Sequence, residues 1–518
     1  MATITELLGG RRCGVLLHPT ALPGPDGCGS FGSRAHAWVD ALADQGIAVW
    51  QILPLTPPDR TGSPYSSPSS FAIHPGFLDL ERLVEEGLLG GEQRDAIRAA
   101  SDAPADGRDP AAQRWRVGRK VALLGRALGQ AHRECWSGDE RRLFERWRQR
   151  QRGWLEDYAL FVVIKEQHQG CPWWQWPPGL AQRHRSALRR FAGEHRRALL
   201  EQALLQWLVE RQWLALLSHA RQRGLSIFGD LPFYVAHDSA DVWARRHLFT
   251  LKADGGLQQQ SGVPPDYFSA TGQLWATPVY RWWLHRLTAY GWWMDRLQRQ
   301  YALMDLLRLD HFRALESCWS VPGGDATAQR GRWCPSPGSA LLQRLRLRRG
   351  GSLPLVAEDL GVITPAVETL RRSFGLAGMK ILQFAFGDHA GNPYLPHNYS
   401  DCNWVVYTGT HDNATSLGWW QQLDEGQRQR VRHYIGGDVD RAPGWALVRL
   451  ALASVAGLAI VPLQDLLCLD DHARFNTPAT VGNNWCWRIG ADEAHIRDAL
   501  AGYGGLADQF GRRAGGPC

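Results

Sequence analysis

The sequence predicts an α/β fold of the closed parallel type, a (β/α)8 TIM barrel with large helical and loop insertions around its catalytic face. Three observations predict it. About eight apolar runs of strand length recur along the chain, helix-like segments separate several of them, and acidic residues or histidines gather where the runs end. Strands buried on both faces read as continuous apolar runs, and active sites of such barrels sit at the strands' C-terminal ends. A doubly wound open sheet is the alternative, but no Gly-x-Gly-x-x-Gly turn follows an early strand.

The first run is Gly14-Val15-Leu16-Leu17-His18-Pro19, followed by a Gly/Pro-rich loop. A helix-like stretch from Ala35 to Gln45 leads into the second, Val49 to Leu55. The loop Ser63-Pro64-Tyr65 through Phe71 is too rich in proline and serine for a helix or a central strand, so its aromatics are expected over a surface or site. From about 78 to 224 the apolar spacing turns helical, with Leu123, Leu124 and Leu128 as examples, and this block reads as an insertion. The third strand, Leu225 to Pro232, is followed by a region of loop and helix over about 234–300. Leu306 to Leu309 is the fourth strand, and Leu353 to Leu360, Met379 to Phe386, Trp404 to Asn413 and Leu458 to Asp465 complete the eight. A further insertion is expected at about 414–445, the whole chain forming a single catalytic barrel.

Composition narrows the class. With 44% hydrophobic and 21% charged residues the chain reads as a globular protein, and no apolar stretch is long enough to span a membrane. Ten cysteines lie scattered without a Cys-x-x-Cys pair, which argues against a zinc module and for a reducing compartment, by default the cytoplasm. The net charge of +7 is modest for this length, and the arginine clusters between Arg141 and Arg152 fit a solvated helix face better than a nucleic-acid patch. Tryptophan is abundant at 25 residues, and flat aromatic faces can stack on the apolar surfaces of sugar rings.

The chemistry concentrates around Leu306-Leu307-Arg308-Leu309-Asp310-His311-Phe312-Arg313. Period-two alternation puts Arg308 and Asp310 on one face, where the cation can orient the carboxylate and favour its ionised form. Asp230, Asp310 and Glu358 at successive strand ends could hold a divalent metal, although Arg308 would compete with the ion. Alternatively they could break a glycosidic bond by the two-carboxylate route. Asp310 would then attack the anomeric carbon, Glu358 would protonate the departing oxygen, and Asp412 would stabilise the oxocarbenium-like sugar. His411, His311 and Arg308 would donate or orient hydrogen bonds.

Arg308-Leu309-Asp310-His311-Phe312-Arg313, Ala357-Glu358-Asp359-Leu360-Gly361 and Thr408-Gly409-Thr410-His411-Asp412-Asn413 resemble the signature regions of the 4-α-glucanotransferases of glycoside hydrolase family 77, the amylomaltases or disproportionating enzymes. The likeness extends to Ser63-Pro64-Tyr65, Gly229-Asp230-Leu231-Pro232, Gly262-Val263-Pro264-Pro265-Asp266-Tyr267-Phe268-Ser269 and Arg474-Phe475-Asn476-Thr477-Pro478, and it covers nearly the whole chain in order. By that resemblance Asp310 is the nucleophile, Glu358 the general acid/base and Asp412 the transition-state stabiliser. Tyr65, Asp230, Arg308, His411 and Asn476 match positions that grip the sugar at the cleavage point, with His311 beside them. Tyr267, Phe268, Gln273 and Trp275 match the loop arching over the acceptor side. Ala276-Thr277, Ala270, Phe475 and Ala414 depart from the common pattern, and bear on acceptor preference and product size.

The implied reaction is retaining double-displacement transfer of an α-1,4-glucan segment from a maltooligosaccharide to the 4-hydroxyl of another glucan or glucose, in glycogen, starch or maltodextrin metabolism. A retaining mechanism requires the Asp310 and Glu358 carboxyl groups about 5–5.5 Å apart. The implied partners are maltooligosaccharides and starch- or glycogen-derived glucans, with no cofactor, no metal, no nucleic acid and no membrane, in a monomer or weak homo-oligomer. A hydrolytic α-glucosidase or amylase and a non-catalytic glucan-binding protein are the rival readings.

Overall fold

The computed structural model describes residues 2–24, 28–101, 109–265, 269–387, 389–437, 439–480, 482–490 and 492–514. Its strands are β1 Arg12–Leu16, β2 Val49–Gln51, β3 Ser226–Leu231, β4 Gln259–Val263, β5 Gln273–Pro278, β6 Leu306–Leu309, β7 Ser317–Pro322, β8 Arg332–Pro335, β9 Leu355–Ala357, β10 Gly378–Ile381, β11 Trp404–Tyr407 and β12 Leu458–Pro462. Eight form one parallel sheet in the order β10-β11-β12-β1-β2-β3-β6-β9. The sheet's two ends meet. A parallel bridge joins Val356 to Ala377, and the Ala357 N–H donates to the Ala377 carbonyl at 2.8 Å, so the sheet closes into a barrel.

Burial explains why these runs carry no alternation. Every residue of β2, β6, β9, β11 and β12 is buried, because the barrel interior takes one face and the surrounding helices and loops take the other. Each of the eight apolar runs read from the sequence overlaps one barrel strand; β1 and β10 begin one or two residues before their runs, β6 coincides with its run, and the other strands are shorter than theirs. The remaining residues carry the chain over the C-terminal rim, where Asp310, Glu358 and His411-Asp412 lie.

Between β2 and β3 the chain is mainly helical. Pro110–Glu134 starts with Pro110 behind the Asp109 cap, and Gly138–Gln167 starts behind Ser137, whose hydroxyl accepts the Glu140 N–H at 3.1 Å. Both pack on Arg196–Gln222, which delivers the chain to β3. The region 234–300, read from the sequence as loop and helix, also contains β4 and β5. With β7 and β8 these form a second, antiparallel sheet in the order β5-β4-β7-β8. These strands escape a local reading for a physical reason. Gln258-Gln259-Gln260-Ser261-Gly262 has neither alternation nor an apolar run, and becomes a strand only through ladders to sequence-distant partners.

The helix Glu493–Gln509 runs along the outside of the barrel beside the helix Ser33–Asp44, and the residues after it reach the end opposite that rim. The Tyr503 hydroxyl donates to the Gly14 carbonyl at 3.1 Å, inside the first strand. The Arg512 guanidinium donates to the carbonyls of Leu452, Ser454, Ala456 and Arg12 at 2.7, 2.8, 2.7 and 3.1 Å. Among the described residues no helix is long and apolar enough to cross a membrane.

Candidate active site

Strand register assembles the first half of the site. In the β3–β6 ladder Asp230 lies opposite Arg308, and in the β6–β9 ladder Leu309 lies opposite Ala357. Asp310 and Glu358 are therefore the first residues beyond two neighbouring strands. Arg308 Nη1 donates to Asp230 Oδ2 at 2.6 Å and Nη2 to Asp310 Oδ1 at 2.7 Å. The Tyr65 hydroxyl donates to the same Asp230 oxygen at 2.7 Å. A guanidinium thus takes the position between the two aspartates that a shared metal ion would need. Among the described residues no three His, Cys, Asp or Glu side chains form a cluster able to hold a metal ion.

Arg308 and Asp230 are both buried. Burial raises Asp230 above its ordinary value while the Arg308 charge pulls it down. Burial lowers the guanidinium, but Asp230 and Asp310 outweigh it and hold Arg308 well above its ordinary range. Arg308 therefore stays charged and fixes both carboxylates.

Glu358 sits in a different environment. One carboxylate oxygen accepts the His311 N–H at 2.7 Å and the other the Leu360 N–H at 3.2 Å. His311 has left-handed backbone angles, φ 50 and ψ 48, which aim its N–H at Glu358. Burial, reinforced by the negative charge of Asp310, pushes Glu358 up to about 8. Burial also lowers His311 to about 4, so its ring is neutral near pH 7. Trp275 meets that ring edge-on with centroids 4.7 Å apart.

Asp412 is held by the segment after β12. Asn476 Nδ2 donates to its Oδ1 at 2.7 Å, and Arg474 Nη2 donates to its carbonyl at 2.6 Å. His411 Nε2 lies 3.3 Å from the Asp412 carboxylate. Tyr65 stacks on His411 with centroids 5.2 Å apart and planes within 7°. This stack joins the Asp412 side to the Asp230–Arg308–Asp310 side. Cavities open on both flanks, one lined by Tyr65, Asp230 and Tyr234, the other by His411, Gln464 and Phe475.

Of the residues singled out from the sequence, Tyr65, Asp230, Arg308, Asp310, His311, Glu358, His411, Asp412, Asn476 and Trp275 thus belong to one contact network. Gln273 is exposed at the start of β5, in register with Val263. Tyr267 and Phe268 lie outside the described residues. Two members carried no individual signal in the sequence. Trp485 packs beside Tyr65 and His411 at 5.7 and 6.0 Å, and Tyr234 lies 6.0 Å from His311. The abundance of tryptophan was the only hint of the first.

A closed parallel barrel with half-buried carboxylates of unlike environment on its C-terminal rim defines the class, a carbohydrate-active barrel enzyme. The comparisons with known proteins place it within that class. Residues 17–492 match the model of glycoside hydrolase family 77, described as 4-alpha-glucanotransferase. The chain is 45% identical to a 4-alpha-glucanotransferase of a Synechocystis strain, over 97% of this chain and 98% of that one. It is 43% identical to a 4-alpha-glucanotransferase of Thermus thermophilus, over 92% and 95%. Among solved structures, amylomaltase from Streptococcus agalactiae in complex with acarbose superposes with a TM-score of 0.88 at 32% identity, covering 97% of this chain and 100% of that one. The chain belongs to glycoside hydrolase family 77, the 4-α-glucanotransferases.

Proposed function

We propose that Asp310 is the nucleophile, Glu358 the general acid/base and Asp412 the stabiliser of the sugar cation in a retaining α-1,4-glucan transfer. The observation that carries this reading is the contrast between the two rim carboxyl groups. Asp310 is hydrogen-bonded to a fixed guanidinium, while Glu358 is held protonated near neutral pH by burial and by Asp310 itself. In the first step the Asp310 carboxylate attacks the anomeric carbon and Glu358 gives its proton to the departing glycosidic oxygen. In the second, ionised Glu358 removes the proton from an acceptor 4-hydroxyl, which displaces Asp310 and restores the α configuration.

The remaining residues support binding around these groups. Tyr65, Asp230, Arg308 and His411 would grip the sugar at the cleavage point. Asn476 would act through Asp412, whose carboxylate it orients. Trp275, packed against His311, and Gln273 at the rim would face the acceptor. Tyr267 and Phe268 complete the proposed acceptor side, and a lid of aromatics that excludes water would favour a sugar over hydrolysis. The substrates would be maltooligosaccharides and the glucans they derive from. Acarbose, a sugar analogue, is bound by the Streptococcus agalactiae relative. No disulfide joins the nine described cysteines, in keeping with action in a reducing compartment such as the cytoplasm.

The test is the product distribution from pure maltotriose, with Glu358→Gln as control. Glucose together with a ladder of longer maltooligosaccharides, lost in the variant, is expected. Maltose and glucose alone would make the protein a hydrolase, and no turnover at all would leave only binding.

A further inference from the structure

Cys318 and Cys334 stand opposite each other in the antiparallel β7–β8 ladder. The Ser336 N–H donates to the Glu316 carbonyl at 2.8 Å, which sets the phase of that ladder and makes Cys318 and Cys334 a hydrogen-bonded pair. Opposed Cα atoms at such a pair are about 5.5 Å apart, inside the roughly 4.4–6.8 Å that a disulfide spans. The Cβ atoms also stand about 5.5 Å apart and close to about 3.5–4.5 Å in a disulfide, so the cross-link draws the two strands together. Both cysteines pack on one core cluster, while Trp319 and Trp333, one residue along each strand, meet each other at 5.1 Å. Cys318 is buried and Cys334, on the neighbouring strand, is half-buried.

The pair is linked to the catalytic rim. The Cys318 thiol faces the Tyr234 hydroxyl, which is buried and makes no well-aligned hydrogen bond. The Tyr234 ring lies 6.0 Å from His311 and 5.9 Å from Trp275. β7 also pairs with β4, and β4 with β5, the strand that carries Trp275.

We propose that Cys318 and Cys334 are a modification site, a dithiol that a low-molecular-weight disulfide converts to an intrachain disulfide, shifting the Tyr234–His311–Trp275 cluster and slowing transfer. The Cys334 thiolate attacks one sulfur of the reagent, forms a mixed disulfide and releases one thiolate. The Cys318 thiolate then attacks the Cys334 sulfur and releases the second. Two electrons and two protons leave the protein and appear as two molecules of reduced thiol. Burial, with Cys334 alongside, raises the Cys318 thiol to about 11, so Cys334 makes the first attack. The second, intramolecular step is the slow one, helped by the enforced proximity of the two strands. The effect on turnover rests on the function proposed above, whereas the cross-link does not.

The experiment treats the full chain and its Cys334→Ser variant with oxidised glutathione, then maps peptides without reduction and assays maltotriose turnover. Expected are a Cys318–Cys334 linked peptide, a roughly tenfold loss of turnover, recovery of both with dithiothreitol, and neither change in the variant. Modification of exposed Cys135, Cys171 and Cys402 without the linked peptide would overturn the site. A linked peptide with unchanged turnover, or an equal loss in Cys334→Ser, would overturn the coupling through Tyr234. A cross-link in a protein that is inactive when reduced would uphold the site and sink the functional reading instead.

Discussion

Two carboxyl groups one residue beyond neighbouring strands differ because their partners differ. Asp310 accepts from Arg308, whereas Glu358 accepts two backbone N–H groups in a half-buried setting and is pushed up to about 8. The sign of the pH dependence follows. Glu358 must carry its proton to release the leaving sugar, so kcat/KM for maltotriose should hold level through neutrality and fall about tenfold per pH unit above roughly pH 8. Glu358→Gln should lower kcat by roughly 10²–10⁴ and remove that alkaline limb, as a pH–rate series would show. An alkaline limb that survives the substitution would transfer the acid role to another group. Arg308 and Asp310 were legible as a pair because strand alternation alone puts them on one face. The left-handed turn at His311 that brings an N–H to Glu358 was not, since histidine is enriched in that conformation but adopts it in only a small minority of cases.

At the scale of elements, the barrel was legible because burial on both faces leaves long apolar runs, and the rim because polar residues end them. The second sheet was not, since β4, β5, β7 and β8 owe their conformation to each other rather than to their own residues. The seam between β9 and β10 is likewise a matter of tertiary contacts. There the ladder is reduced to one bridge, and Asp359 takes over, accepting the Met379 N–H at 2.7 Å and pairing with Arg371 Nε at 3.1 Å. A Cβ on Gly378 would come within 2.4 Å of this carboxylate, so the glycine is what lets Asp359 reach the seam. Asp359→Ala would leave Arg371 buried without its partner, and a loss of about 3 kcal/mol or more is expected in urea unfolding. Because Glu358 is the preceding residue, turnover at 25 °C should fall as well. A variant with wild-type stability would place the closure in the Val356–Ala377 bridge alone.

The whole molecule divides stability from chemistry between the two ends of one barrel. The carboxylates, the Tyr65–His411 stack and the second sheet crowd the C-terminal rim, and Arg512, just past the last helix, seals the opposite end. Arg512 shows the division most sharply, since it touches no site residue yet its guanidinium satisfies four carbonyls from two segments far apart in sequence. Hydrogen bonds to a charged donor contribute about 1.5–3 kcal/mol each, although Arg11 Nη2 also donates to the Leu452 and Ser454 carbonyls at 3.2 and 2.6 Å, so those two keep a charged donor without Arg512. Arg512→Ala should therefore lower the unfolding free energy by about 3 kcal/mol or more, read as a shift of the urea midpoint at unchanged slope. The folded variant at 25 °C should keep wild-type kcat and KM for maltotriose, because Arg308 and Asp310 are fixed by each other and by Asp230 of β3, and Glu358 by the His311 and Leu360 N–H groups. A drop in kcat at full folding would mean that the seal sets the register of the strands as well as their stability, since Arg12 and Gly14 of β1 both lie beneath it.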